Sequence, residues 1–318
     1  MNDKLSLTII IVNYNSSEYT MKCLDSIEDS VQNRCFVKNI VVVDNNSNKE
    51  DIKDLSNRKD IQFILNHENV GFAKACNQGA RLAKGDYLLF LNPDTILQTD
   101  TIEKSIISYK EMEQEGIGAL GVQIRDIENN IMRTCSRFPS NFYFLMKCLG
   151  INRLILKWNQ FMVEWDHMNS QNVDEVMGAY FLVSTKIFNE LNGFDERFFV
   201  YYDEVDFCYR LVEQGYHSYF CSDTYITHDA GGTSRKVKAK RLFYEWRSRI
   251  LFMQKHHGNR KAKYSIAIVR LEVISRRIYH TFKPVLFDFS ELIEAYDKFN
   301  TWVKHYKEQY KKRGEVKL

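Results

Sequence analysis

Residues 86–95 read DYLLFLNPDT. An unbroken apolar and aromatic run that ends at Asn92-Pro93-Asp94-Thr95 describes a short strand, buried on both faces, that stops at a turn. The same design recurs on either side. LTIIIV at 7–12 is followed by Asn13, Tyr14, Asn15 and Ser16, NIVVV at 39–43 by Asp44-Asn45-Asn46-Ser47, and IQFIL at 61–65 forms a further run. Helical patterns lie between them. Tyr19, Cys23, Leu24 and Ile27 share a face after the first run, a polar helical stretch precedes 61–65, and 71–84 and 101–115 flank the strand at 86–91. More strands are predicted at 118–124, 179–184 and 218–226, and a helix at 203–214. Short strands alternating with helices predict an α/β domain, Rossmann-like, with a mostly parallel sheet flanked by helices. Ligands of such sheets bind outside the carboxyl ends of the strands. The polar clusters at 13–16, 44–47 and 92–95 all sit at those ends.

The chain has 318 residues, enough for one large domain with an appendage. Its charge is uneven. Residues 235–318 carry 22 basic and 8 acidic side chains, a net of +14, whereas the remainder has a net of −11. This break predicts a catalytic domain at 1–235, with halves at about 1–115 and 116–235, and a basic helical extension at 236–318. The seven cysteines form no CxxC pair, which argues against a zinc ribbon and for a reduced, cytoplasmic protein. No run reaches the length of a membrane span. GIGALG at 116–121 is a formal GxGxxG, but a helix precedes it and a strand follows. The dinucleotide fingerprint needs the reverse order, so these glycines read as a helix stop.

Four groups of residues carry candidate chemistry. Asp44 ends a buried strand, where a carboxylate can accept from a base or ribose, or can equally cap a turn. Asp94 ends another, fixed by Pro93, and suits a hard divalent cation or a helix cap. Asp203, Glu204 and Asp206 follow aromatic residues in RFFVYYDEVDFCYR. An apolar wall raises a carboxylate's proton affinity and can tune a base, while the helix dipole alone would also favour acids there. His228, in YITHDAGGTS, gains weight only if it shares a site with Asp94.

These stretches, with NHENVGFAKACNQGARLAKGDYLLFLNPDT and MGAYFLVSTKIFNELNGFDERFFVYYDEVDFCYR, occur in an order that resembles the inverting family 2 glycosyltransferases of GT-A fold, and within them the bacterial rhamnosyltransferase-like group. The resemblance spans about residues 7–234. It implies that Val12 and Tyr14 pack against a nucleobase and that Asp44 bonds the base or ribose. Asn69, Gly71, Asn77 and Asn92 are then nucleotide-site residues. The family's Asp-x-Asp metal motif reads Asn92-Pro93-Asp94, leaving Asp94, helped by His228, to hold Mg²⁺ or Mn²⁺. The base motif appears as Asp203-Glu204, with Glu204 in the base position and Asp203 the alternative. Gly178, Asp195 and Glu196 match acceptor-side segments. The implied partners are a nucleotide-sugar donor, with dTDP-rhamnose the subgroup's suggestion and UDP-sugars the alternative, and a saccharide or lipid-linked saccharide acceptor.

The tail at 236–318 interleaves its charge with Trp246, Ile250, Phe252, Ile266, Ile268 and Val269. Two readings fit: peripheral contact with an anionic membrane at the inner face of the cell membrane, or an ordinary helical extension packing on the catalytic domain or a second subunit as a homodimer. No nucleic-acid motif accompanies the charge. A sugar-nucleotide pyrophosphorylase would need a glycine-rich basic loop where NYNSSEYT stands, and a non-catalytic binding protein would not need Asp94, Glu204 and His228.

Overall fold

The computed structural model describes residues 5–30, 35–229, 238–282 and 289–312. The chain forms two compact units. One comprises Met1–Phe138, Phe161–Phe199 and Asp203–Thr233; the other comprises Pro139–Gln160, Val200–Tyr202 and Ser234–Leu318. The expected boundary at 235 lies outside the described residues.

The first unit is built on one mixed sheet. Its strands are β1 (Leu5–Asn13), β2 (Cys35–Asp44), β3 (Gln62–Leu65), β4 (Tyr87–Leu91), β5 (Thr95–Leu97), β6 (Ile117–Arg125), β7 (Ile131–Met132), β8 (Gln171–Val173), β9 (Tyr180–Ser184) and β10 (His217–His228). The order is β3-β2-β1-β4-β9-β6-β10-β5, with β7 on β6 and β8 on β10. The pairs β1–β2, β1–β4, β2–β3 and β6–β10 are parallel, as expected. β9 enters antiparallel to both β4 and β6. Period-two alternation sends side chains to two cores. Leu7, Ile9 and Ile11 join one; Ile10 and Val12 join the other. The first core is closed by α1 (Ser17–Ser30) and α3 (Thr101–Met112) through Cys23, Leu24, Ile27, Ile102 and Ile106. The second is closed by α2 (Phe72–Ala80), α5 (Thr185–Glu190) and α6 (Asp203–Glu213), α6 inserting Phe207 and Leu211. Helices on both faces explain why the strands are apolar throughout.

Two expectations are corrected. The polar stretch before β3 holds turns and a single 3₁₀ turn at Leu55–Asn57, not a helix. The helix predicted at 71–84 ends at Ala80. The glycines of 116–121 pack rather than bind. Gly116 stops the preceding helical turn with φ 86°, and a Cβ on Gly121 would lie 2.7 Å from Val176.

The second unit is helical: α4 (Asn141–Cys148), α7 (Lys238–Phe282, broken at Gly258) and α8 (Phe289–Lys312). Trp246, Ile250 and Val269 of α7 meet Leu292, Phe299 and Val303 of α8 in its core. The six apolar tail residues that suggested membrane contact are therefore all buried. No described helix is long and apolar enough to cross a membrane.

Candidate active site

The carboxyl ends of β1 and β2 are tied into one loop platform. Asn13 Nδ2 donates to Asp44 Oδ2 at 2.8 Å, to Ser17 Oγ and to Ser47 Oγ, while Asn13 Oδ1 accepts from Ser16 and Thr20. Asp44 also accepts the Ser47 backbone N–H at 2.9 Å and is fully buried. Its carboxylate fixes the platform. Tyr14, at the lip, is 48% exposed, and Val12 lies buried beneath. Beside this platform, Asn69 Oδ1 accepts the Gly71 N–H at 3.0 Å and Asn45 Nδ2 donates to the Gly71 carbonyl at 3.1 Å. Gly71 sits at φ 91°, and a Cβ there would lie 2.6 Å from the Phe199 carbonyl oxygen. Only glycine lets the loop pass so close. Asn77 brackets α2 to the 193–196 turn, donating to the Phe194 carbonyl at 2.8 Å and accepting the Phe194 N–H at 3.0 Å. Its amide also donates to Glu196 at 3.2 Å, and Asp195 pairs with Arg197.

Asp94 and His228 are 134 residues apart in sequence, and the sheet joins them. β5 turns back after Asp94 to pair antiparallel with β10, placing His228 opposite Thr95. His228 Nε2 then lies 3.2 Å from Asp94 Oδ1, and the Asp229 N–H donates to the Asp94 carbonyl at 3.1 Å. Tyr19 on α1 donates to Asp229 at 3.1 Å. His228 Nδ1 is buried with no hydrogen-bond partner among the described residues. The described residues hold no cluster of three or more His, Cys, Asp or Glu suited to a metal ion. One carboxylate and one imidazole nevertheless fit Mn²⁺ or Mg²⁺. Adjacent ligands of an octahedral ion at ~2.1 Å lie about 3 Å apart, and substrate phosphates usually complete the shell.

The third group opens α6. Asp203 is buried and Glu204 half-buried. Gly178 lies against the Glu204 carboxylate: a Cβ there would stand 3.5 Å from it, in ordinary contact. Burial pushes the Glu204 carboxyl up from its ordinary range, opposed by its own backbone N–H, the Asp203 side chain, and the N–H groups of Gly178 and Val205. Burial, then the Glu204 charge, pushes Asp203 well up. A side-chain hydrogen bond between the two adds to the rise at Asp203 and opposes it at Glu204. Asp206 stands apart, fully buried and bonded to Arg210 Nε at 2.8 Å. Arg210 in turn binds the carbonyls of Leu191 and Gly193.

Sequence reasoning missed Glu175. It is 7% exposed, accepts from Ser136 Oγ and belongs to the loop that leads to Gly178. Burial, then the charge of Glu204, pushes its carboxyl up to about 8, against the Ser136 hydrogen bond. Its position in VDEVMG gives no sign of this, because Ser136 and Glu204 reach it only through the fold.

The antiparallel β9 joins the two halves. The Asn92 N–H donates to the Ala179 carbonyl at 3.1 Å, next to the Gly178 that faces Glu204. Asp94, two residues after Asn92, and Glu204, against Gly178, therefore lie at the same end of the sheet.

Residues 8–190 match the family model described as "Glycosyl transferase family 2". The chain belongs to that family. It is a nucleotide-sugar-dependent glycosyltransferase. It is similar to the low-salt glycan biosynthesis hexosyltransferase Agl10 of Haloferax volcanii, with 24% identity covering 77% of this chain and 74% of the relative. It is likewise similar to the rhamnosyltransferase WbbL of Escherichia coli K12, with 23% identity covering 77% of this chain and 91% of that one. The mannosyltransferase PcManGT from Pyrobaculum calidifontis, solved with GDP-Man and Mn²⁺, superposes with a TM-score of 0.53 at 14% identity, over 92% of this transferase and 86% of that chain. That likeness gives the fold, of GT-A type.

Proposed function

We propose that this glycosyltransferase inverts the anomeric centre in one displacement. It would move L-rhamnose from dTDP-rhamnose to a hydroxyl of a glycan or lipid-linked saccharide acceptor. The observation that carries the reading is the hydrogen bond from Asn92 to Ala179, next to the Gly178 that faces Glu204, which supports Asp94 and Glu204 working at one end of the sheet. On the donor side, Tyr14 offers an exposed ring for a base to stack on, over a platform held by Asp44. Asn69 and Gly71 shape the neighbouring loop, and Asn92 stands two residues before Asp94 in the metal motif. Asp94 and His228 would hold a divalent cation, which when bound neutralises charge growing on the leaving diphosphate. The unpartnered His228 Nδ1 is a further group for a phosphate oxygen to satisfy. On the acceptor side, Glu204 takes the hydroxyl proton, and the Asp203 side chain beside it holds Glu204 in place. Asp195 and Glu196, held by Arg197 and Asn77, border the acceptor. Rhamnose is supported by the similarity to a rhamnosyltransferase and by the Asn-x-Asp form of the metal motif.

Thermal stabilisation across a panel of nucleotide sugars with Mn²⁺, followed by assay of nucleoside diphosphate release, tests this reading. The expected result is the largest shift with dTDP-rhamnose, dTDP release on adding acceptor, and loss of release in EDTA. A shift with UDP-sugars alone would overturn the donor. Full activity in metal-free buffer would remove Asp94 and His228 from their roles.

A further inference from the structure

Pro139–Gln160 belongs to the helical unit, and it is two-faced. Its inner face is anchored. Phe144 and Met146 are buried, the Arg249 guanidinium of α7 lies 4.2 Å over the Phe144 ring, and Asn141 donates to the Lys261 carbonyl at 2.9 Å. Its outer face is not covered. Every residue from Arg153 to Trp158 is exposed, in the order Arg-Leu-Ile-Leu-Lys-Trp, and Leu154 is 85% exposed. Phe142 on α4 is exposed too, and its ring meets Trp158 edge-on at 5.5 Å, so helix and loop present one surface. Leu149 extends it. The same unit carries a second exposed stripe on α7, Leu271, Ile274 and Ile278, at helical spacing. The contact of Cys148 Sγ with Ser275 Oγ at 3.7 Å brings the two regions together.

Exposed apolar patches of this kind mark surfaces that are covered in use. The charge says by what. Residues 139–160 contain no Asp or Glu, while Lys147, Arg153 and Lys157 are basic and exposed. Arg153 and Lys157 flank the apolar Leu154–Leu156 step, and a tryptophan closes it. Apolar side chains with basic neighbours and an interfacial aromatic match an anionic bilayer surface, where each Lys or Arg adds to the attraction. The geometry points to the Phe142–Trp158 face as the part of this transferase that docks on an anionic lipid bilayer, with Leu154 and Leu156 entering the headgroup region. This assignment is independent of the donor and of the base. It also differs from the sequence expectation for 236–318, whose six named apolar residues are buried.

Co-sedimentation of the full chain with vesicles tests it. One set is phosphatidylcholine alone, the other phosphatidylcholine mixed with phosphatidylglycerol. The wild type is expected to pellet with the mixed vesicles. The double substitution Leu154→Asp/Leu156→Asp weakens this by about ten-fold or more, since each leucine loses its apolar transfer. Arg153→Ser/Lys157→Ser removes the preference for the anionic vesicles. Because these side chains are exposed, the variants keep the wild-type melting curve and transfer to a soluble acceptor. Equal sedimentation of wild type and the leucine variant would overturn the proposal. So would a wild type that stays in the supernatant. A dimer by light scattering that the leucine variant lacks, without vesicle binding, would give the surface to a second copy of the chain instead.

Discussion

Glu204 and Glu175 illustrate how neighbours divide the work among similar side chains. The charge of Glu204 bears on Glu175, but backbone N–H groups reach Glu204, whereas Glu175 accepts from the Ser136 hydroxyl. Burial raises both carboxyls, and at Glu204 the backbone N–H groups oppose that rise. Glu175 therefore predicts a pH dependence. Its folded carboxyl titrates at about 8, whereas an unfolded glutamate loses its proton near pH ~4.3. Between those values the folded chain binds more protons than the unfolded one, so this contribution to stability is complete below pH ~4.3 and falls as pH rises to about 8. Glu175→Gln mimics the protonated form. Melting curves across that window should show the wild type losing on the order of a few kcal/mol that the variant keeps. Parallel curves for the two proteins would contradict this. At the proposed cation site, His228→Ala should abolish the extra stabilisation given by Mn²⁺ with a nucleoside diphosphate while leaving the fold intact. An undiminished Mn²⁺ shift would place the cation elsewhere.

Local pattern and long-range pairing differ in what they reveal about the elements. The strands at 7–12, 39–43 and 86–91 were legible because burial on both faces leaves a continuous apolar run, and Asp44 and Asp94 were legible as the residues that end them. The reversal of β9 was not legible, since a buried strand reads the same in either direction. Yet that reversal places Ala179 on Asn92 and so brings Gly178, and with it Glu204, to the end of the sheet that carries Asp94. The meeting of Asp94 with His228 depends likewise on β5 pairing with β10, which no local signal specifies. The stretch before β3 misled because polar residues at helical spacing also suit a series of turns. Gly71 is the position where an element's path most constrains its residue. Gly71→Ala places a side chain at positive φ against the Phe199 backbone. It should cost about 2–4 kcal/mol by chemical unfolding and weaken donor binding. A cost below ~1 kcal/mol would show that the loop relaxes freely.

Across the whole molecule, the charge break near 235 anticipated a basic helical region, and much of α7 and α8 is that region. What the pattern did not reveal is that Pro139–Gln160 belongs with it, because contacts such as Arg249 with Phe144 join residues over a hundred positions apart. The helical unit also buries charge. Arg249 is nearly inaccessible, and it donates to Glu272 and to Glu245 at 3.2 Å each. Burial alone would raise the Glu272 carboxyl, but Arg249, Arg276 and Lys147 together hold it below its ordinary range. Glu272→Ala would remove the more buried of the two carboxylates that hold the Arg249 cation and should cost about 3–5 kcal/mol, read from the loss of helical circular dichroism in denaturant. A loss under ~1 kcal/mol would mean that water reaches Arg249.

The central claim is that Glu204 is the base of a single displacement. Its most direct test is turnover of Glu204→Gln with the nucleotide sugar that stabilises the wild type most, read as acceptor-dependent release of nucleoside diphosphate. The substitution keeps the shape of the side chain and removes its proton affinity. The account predicts kcat lowered by about a hundred- to ten-thousand-fold, with the melting temperature and donor-induced stabilisation of the wild type. Turnover close to wild type would contradict it.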